Sequence, residues 1–454
     1  MKNLTLKNIA TACGGTYIGP AELAEKEVTS ITSDSRTAEN GSLFVAIKGE
    51  RADGHKFIPQ VMAAGALASL SEQELSCEIP HIRVPSTLEA VKAIAEYYLS
   101  GLDLPVIGIT GSVGKTSTKE MIASVLSQKY NTLKTLGNFN NELGLPLTIF
   151  RLREEHQIAV LEMGISDFGE MTRLARVARP NTSVITNIGQ CHLENLIDRD
   201  GVLKAKTEVF DFLKADGRAI LNGDDDKRRT VSLVNGKPPI FFGLDSACDY
   251  FADEIVSCGL KGTKCCIHTP SDTFEVLIPI PGRHMVYNAL AGTAVGVTYG
   301  LTPAEIKAGI ESLQSLSGRF HIIETSDYTI IDDCYNANPV SMKASLSVLQ
   351  DGLNRKIAIL GDMGELGENE TSLHREVGEY AGTLNIDGCI CVGPLCQNMV
   401  EGISSVNPDM YVVHLDTLDE LLEKLPLLIQ KGDTLLVKAS HFMKFEQVVA
   451  KLTC

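Results

Sequence analysis

The six residues Gly111-Ser112-Val113-Gly114-Lys115-Thr116 form the segment best suited to phosphate chemistry. Glycines let backbone N–H groups crowd around phosphate oxygens, and a helix starting at the lysine adds the partial positive charge of its N-terminus. On this reading Lys115 reaches the outer phosphates of ATP and the Thr116 hydroxyl ligates Mg²⁺, with Ser117 completing the turn. The spacing is not that of GxxxxGK[ST], because Ile109 stands where the first glycine belongs and the nearer glycines are Gly108 and Gly111. The plain alternative is an ordinary strand-to-helix turn, which has no need of a lysine.

Acidic and basic residues follow at later strand ends. Glu162 closes the apolar run IAVLEMG, where a carboxylate projects into the crevice above a parallel sheet and suits a hard cation. Asp167 and Glu170 lie in the next loop, and any of these could equally be a solvated acid. His192, in TNIGQCHLEN, is either a ligand or a structural histidine. Its neighbour Cys191 does not make a nucleophile pair with it, since adjacent residues rarely face one another. Lys206, in GVLKAKTEVFDFL, reads as a solvated helix-face lysine that periodicity does not distinguish from Lys204. Three further segments are rich in polar turn residues: TLGNFNNELGLP (135–146), PGRHMVYNALAG (281–292) and DDCYNANP (332–339). Each could be turn chemistry alone. Together beside a phosphate loop they suggest a site assembled between domains.

The elements that must carry these residues alternate strand and helix. Strands are expected at 41–49, 106–110, 158–164, 182–189 and 218–225, and again at 328–339, 356–367, 388–393 and 433–440. Such alternation implies a mainly parallel sheet covered by helices. The stretch 58–70 reads as a helix leading to another strand, and 238–280 as hairpins. A helix over 86–102 has Ser86 as N-cap, Glu89 at the capping-box position and Gly101 at its end. LDLP (102–105) and SGRFHIIET (317–325) read as linkers.

Composition sets the frame. A chain of 454 residues is too long for one core and suits three domains. Its formal charge of −16, with no basic run, argues against a nucleic-acid partner. No run of 18 apolar residues is present to span a membrane, and the first residues lack the apolar stretch of a signal peptide. The twelve cysteines are scattered, which favours free thiols in a cytoplasmic protein. Cys265-Cys266 and the group Cys389, Cys391 and Cys396 lack the paired spacing of a zinc site.

The order of these motifs resembles the Mur ligases of bacterial cell-wall synthesis along nearly the whole chain. The resemblance rests on TSDSRTAENGSLFVAIKGERADGHKFI (32–58), ITGSVGKTSTKEM, TLGNFNNELGLPLT, LEMGISDFGEM, HLENL, GVLKAKTEVF, LNGDD, PGRHMVYNALA, SGRF, DDCYNANPVSM, LGDMGELG and LLVKAS. The shortened phosphate loop is normal for that family. It implies an α/β protein of three domains: a small N-terminal UDP-binding domain (1–101), a central P-loop domain with a mainly parallel sheet (102–315) and a Rossmann-like C-terminal domain (316–454). It also implies an ATP- and Mg²⁺-dependent ligase that forms an amide through an acyl phosphate. NFNNELGLP and DDCYNANP favour the member that adds D-Ala-D-Ala to UDP-MurNAc-tripeptide.

Carried over position by position, the resemblance gives each residue a role. Gly111 to Ser117 hold the phosphates, Thr116 and Glu162 one Mg²⁺, and His192 a second. Lys206 matches a lysine carbamylated by CO₂, Asn288 near His284 would meet adenine, Arg319 the phosphates and Asp333 the ribose. Asn138, Asn141, Tyr335, Asn336 and Asn338 would line the peptide side, and Ser33, Ser35 and Arg36 the UDP side. Lys115, His192, Lys206 and Arg319 are the expected catalytic group, in a monomer. Two positions depart from the pattern: Met285 where asparagine is common, and His441 where arginine closes KGSR. Another amide ligase of the superfamily, or a nucleotide-binding protein without the chemistry, are the alternative readings.

Overall fold

The strands sort into three sheets. The computed structural model describes residues 1–49, 52–76 and 78–453. Glu50 and Arg51 of the N-terminal motif, with Cys77 and Cys454, lie outside the described residues.

The first sheet has five strands, ordered Thr16–Ile18, His81–Arg83, Ala68–Ser71, Leu43–Val45, Ile31–Thr32, and is parallel except for its first pair. Helix Thr87–Ser100 packs beside it. Ser86 caps that helix by accepting from the Glu89 N–H at 3.3 Å, but the box is not reciprocal. The Glu89 carboxylate turns instead to Lys92, 2.7 Å away.

The central sheet has nine strands. Its parallel part runs Tyr250–Ser257, Ile240–Gly243, Arg218–Asn222, Thr182–Ile185, Val106–Thr110, Ile158–Glu162, Thr132–Lys134. Two hairpins then add Thr263–His268 and Thr273–Ile278 antiparallel at one edge. The hairpin expectation for 238–280 therefore holds only from Tyr250 onward, because Ile240–Gly243 pairs parallel with its neighbours.

The third sheet has six strands, ordered His321–Glu324, Thr329–Asp332, Thr434–Lys438, Lys356–Gly361, Gly388–Val392, Tyr411–Leu415. Within it successive residues divide between two apolar clusters: Ile331, Ala358 and Leu436 on one face, Ile330, Ile357 and Leu435 on the other. Burial on both faces explains why these strands read as unbroken apolar runs. The segment SGRFHIIET is not a bare linker. His321–Glu324 pairs antiparallel with Thr329–Asp332 and forms the sheet edge. Tyr411–Leu415 went unread because only Leu415 of its five residues is buried.

Packing differs between the two junctions. Leu6, Val91 and Ile94 of the first layer share one apolar cluster with Leu161 and Ile185 of the central sheet, and the Tyr98 hydroxyl donates to the Leu152 carbonyl at 2.7 Å. The third sheet keeps separate clusters on its two faces. The ten described cysteines are free thiols, and no helix among the described residues is long and apolar enough to cross a membrane.

Candidate active site

Strand Val106–Thr110 sits between Ile158–Glu162 and Thr182–Ile185, so the loops leaving their C-terminal ends converge. The turn after Val106–Thr110 is knitted to the loop at 186–189. Val113 N–H donates to Asn187 Oδ1 (2.9 Å), Ser112 N–H to the Asn187 carbonyl (3.1 Å), and Thr186 Oγ1 to the Val113 carbonyl (2.6 Å). Gly111 has φ +150°, and a Cβ there would lie 1.9 Å from Thr186 Oγ1. No other residue fits. Gly114, at φ +80°, is the N-cap of helix Lys115–Leu126 and leaves that helix end uncovered by any side chain. Lys115 Nζ folds back to the Gly111 carbonyl at 2.9 Å. The result is a rigid turn presenting N–H groups and one ammonium.

Glu162 ends its strand inside this crevice, 1% exposed. Its Oε1 accepts from Thr116 Oγ1 (3.2 Å) and from Asn140 Nδ2 (2.8 Å). Its Oε2 accepts no hydrogen bond, and Lys119 Nζ stands 3.8 Å from it. A buried carboxylate oxygen left open beside a hydroxyl is a hard, anionic donor set that fits Mg²⁺. His192 adopts a left-handed conformation (φ 52°) and its Nδ1 lies 3.0 Å from Glu365 Oε2 of the third domain.

One cavity of about 610 Å³ gathers most of the expected residues: Ser112 to Ser117, Asn138, Glu162, His192, Asn288, Arg319, Asp333, Tyr335, Asn336 and Asn338. Asn288 is fixed from both sides, accepting from Thr118 Oγ1 (2.9 Å) and donating to the Met285 sulfur (3.2 Å). Met285 thus belongs to the core beneath the cavity and supplies the sulfur to which Asn288 donates. The Arg319 guanidinium stacks over the Tyr335 ring at 4.2 Å, and His441 lies against the same ring with centroids 5.3 Å apart. His441 therefore acts as an aromatic neighbour, where an arginine would offer a fork of donors. His284 packs on Phe320, and burial pushes its pKa down to about 4.

Several expected residues have structural work. Asp333 accepts from Lys438 Nζ (2.5 Å), Ser345 Oγ (2.7 Å) and Phe320 N–H (3.3 Å). Asn338 is the N-cap of helix Pro339–Leu349 in a full capping box with Ser341. Asn141 accepts from the N–H groups of Leu143 and Gly144 and is absent from the cavity lining. Asp167 and Glu170 bond within their own loop. Lys206 is not a solvated lysine; it is fully buried on helix Arg199–Thr207 and does not line the cavity. Ser33, Ser35 and Arg36 sit beyond strand Ile31–Thr32, apart from the cavity, with Arg36 paired to Asp34 at 2.6 Å.

The sequence reading passed over Lys119, Asn140, Glu365 and the role of Lys438. Asn140 lay within a segment already singled out, but its partner is 22 residues away. Lys119 is completely buried between Glu120 (3.0 Å) and Glu162, a position no helical periodicity marks. Outside the cavity, register alone brings Asp253, Cys266 and His268 together on the edge hairpin.

Known proteins match this arrangement throughout. Residues 109–296 fit the model of the Mur ligase middle domain, 318–441 that of the Mur ligase glutamate ligase domain, and 27–99 that of the Mur ligase family catalytic domain. The UDP-N-acetylmuramoyl-tripeptide–D-alanyl-D-alanine ligase of Bacillus subtilis (strain 168) is 38% identical, with 99% of this chain and 98% of that protein aligned. Its namesake from Escherichia coli (strain K12) is 36% identical over 100% and 99%. Among solved structures, MurF from Acinetobacter baumannii superposes with a TM-score of 0.90 at 34% identity, covering 99% of this chain and 98% of that one. The MurF ligase from Thermotoga maritima in complex with ADP gives 0.82 at 29% identity, covering 93% and 97%. With all three layers matched in order and the phosphate turn, Glu162 and the third-domain wall in one cavity, the chain belongs to the Mur ligase family.

Proposed function

We propose that this ligase joins D-Ala-D-Ala to UDP-MurNAc-tripeptide at the expense of ATP. The γ-phosphoryl group passes to the terminal carboxylate of the tripeptide, ADP leaves, and an acyl phosphate forms. The dipeptide nitrogen attacks the acyl carbon, the carbon–oxygen bond to phosphate breaks, and the amine gives up its proton as inorganic phosphate departs. Free carboxylate is a poor electrophile; phosphorylation supplies the leaving group. The observation that carries this reading is the shared cavity, with the Gly111–Thr116 turn on one wall and Arg319, Tyr335 and Asn336 from the third domain on the other.

Catalysis here is positioning plus charge neutralisation. Lys115 and Arg319 face the phosphates from opposite domains. Asn288, locked by Thr118 and Met285, serves the adenine, and Asp333 the ribose through what its internal partners leave open. Tyr335, Asn336, Asn138 and Asn338 form the acceptor side. Ser33, Ser35 and Arg36 hold the UDP end, which a long sugar-peptide can place far from its reacting carboxylate. Thr116 and Glu162 would hold Mg²⁺ and His192 a second ion; bound there, the metal supplies charge for the phosphate oxygens. Lys206 is proposed as the carbamylated lysine. CO₂ capture would turn this buried cation into an anionic group. Nucleotide substrates of this kind place the enzyme in the cytoplasm, where it would act as a monomer.

Release of ADP and phosphate is measured with both substrates present, then with each omitted. Turnover should require both. Equal turnover without the dipeptide would make the protein a hydrolase.

A further inference from the structure

Three carboxylates line the cavity among the described residues: Glu162, Asp333 and Glu365. The first is committed to Thr116 and Asn140, and the second to Lys438 and Ser345. Glu365 is different. Its one ion-pair partner among the described residues is His192, across the domain boundary at 3.0 Å. That pair cannot be explained as glue between domains, because the Glu365 side chain is 69% exposed and such pairs contribute little to stability.

The loop around Glu365 is built to present it. Asp362 accepts from the N–H groups of Leu395 (3.4 Å) and Cys396 (2.9 Å). Met363 N–H donates to His374 Nε2 at 2.9 Å, and Gly364 N–H to Ser440 Oγ at 2.8 Å. After these anchors Glu365 takes φ +61°, a left-handed conformation that disfavours a side chain other than glycine, asparagine or aspartate. Strain held by surrounding anchors points to a role for the residue placed there. The charge pattern shows what role. Lys438 is neutralised by Asp333, but Lys115 and Arg319 have no ion-pair partner among the described residues, and these two cations suit phosphates and repel an amine that arrives as an ammonium ion.

We infer that Glu365 receives the ammonium group of the incoming amino-acid or dipeptide substrate and guides it between these cations toward the acyl carbon, which it attacks as the neutral amine after giving one proton to water. This rests on the ligase reading above. Removing one charge-assisted contact predicts that Glu365→Gln raises the KM for D-Ala-D-Ala about tenfold or more. The KM values for ATP and UDP-MurNAc-tripeptide should stay within about twofold, since the contact assigned to Glu365 is made to the dipeptide's ammonium and to neither of these. Glu365→Asp, which keeps the charge, should recover part of the loss. Acyl-phosphate formation is read separately, without dipeptide, by positional isotope exchange in ¹⁸O-labelled ATP, and should persist in Glu365→Gln.

A parallel rise of all three KM values, or loss of isotope exchange in the variant, would mean that Glu365 acts only through His192 or domain closure. An unchanged dipeptide KM would also overturn the assignment. If the unaltered enzyme shows no tripeptide-dependent exchange, the ligase reading itself fails.

Discussion

Replacing Lys438 by methionine tests the buried pair that supports the third-domain wall of the cavity. Lys438 Nζ donates to Asp333 Oδ2 at 2.5 Å and to the Asn336 carbonyl at 3.0 Å, and the two side chains are 2% and 5% exposed. Burial pushes the Lys438 pKa down, against the pull of the Asp333 carboxylate. Losing one partner is then expensive, because the other charge stays buried and uncompensated. The expected destabilisation of Lys438→Met is about 4 kcal/mol. Asp333→Asn combined with Lys438→Met should recover at least ~2 kcal/mol of the summed single effects, since no naked charge remains. Urea unfolding followed by circular dichroism and tyrosine fluorescence suits a chain with no tryptophan. The third domain has its own two apolar clusters, so its transition should shift by itself. A single-variant cost below ~1 kcal/mol, or additive single effects, would show that water screens the pair and that the loop at 333–338 is held by other contacts.

Three further outcomes follow from the same geometry. Gly111→Ala puts a Cβ 1.9 Å from Thr186 Oγ1 at φ +150°, so ADP affinity by calorimetry should fall at least about tenfold; a change under twofold would show that the turn can yield. Glu162→Gln should raise the Mg²⁺ concentration for half-maximal activity about tenfold or more, and an unchanged requirement would remove Glu162 from the ligand set. His284 is held neutral, with its pKa near 4 against about 6.5 unfolded, so the unfolded chain takes up its proton first as pH falls. Stability should therefore drop by up to about 2 kcal/mol from pH 7 to pH 5 on account of this ring. His284→Gln should flatten that slope in urea titrations; equal slopes would contradict the assignment.

Much of the fold was legible because its signals are local. The run Val106–Thr110 is a strand at the residues expected, and Ser86 caps its helix as its side chain dictates. Glycine at 111 and 114 marked the turn between strand Val106–Thr110 and helix Lys115–Leu126, because glycine tolerates the backbone there. Edges were less legible. His321–Glu324 is only partly buried along its length, so its residues carry a weak apolar signal, and pairing rather than composition makes it a strand.

Taken alone, the order of residues determined strand–helix alternation, the glycine turn at 111–114 and the acid closing the run at 158–162. Each depends on backbone freedom or side-chain periodicity within a few neighbours. Tertiary structure decided which polar groups meet: Asn140 with Glu162, Lys438 with Asp333, Glu365 with His192. It also decided that Lys206 is buried while Arg36 faces solvent. Those outcomes turn on desolvation and charge pairing between residues tens to hundreds of positions apart, and helical or strand periodicity carries no information about them.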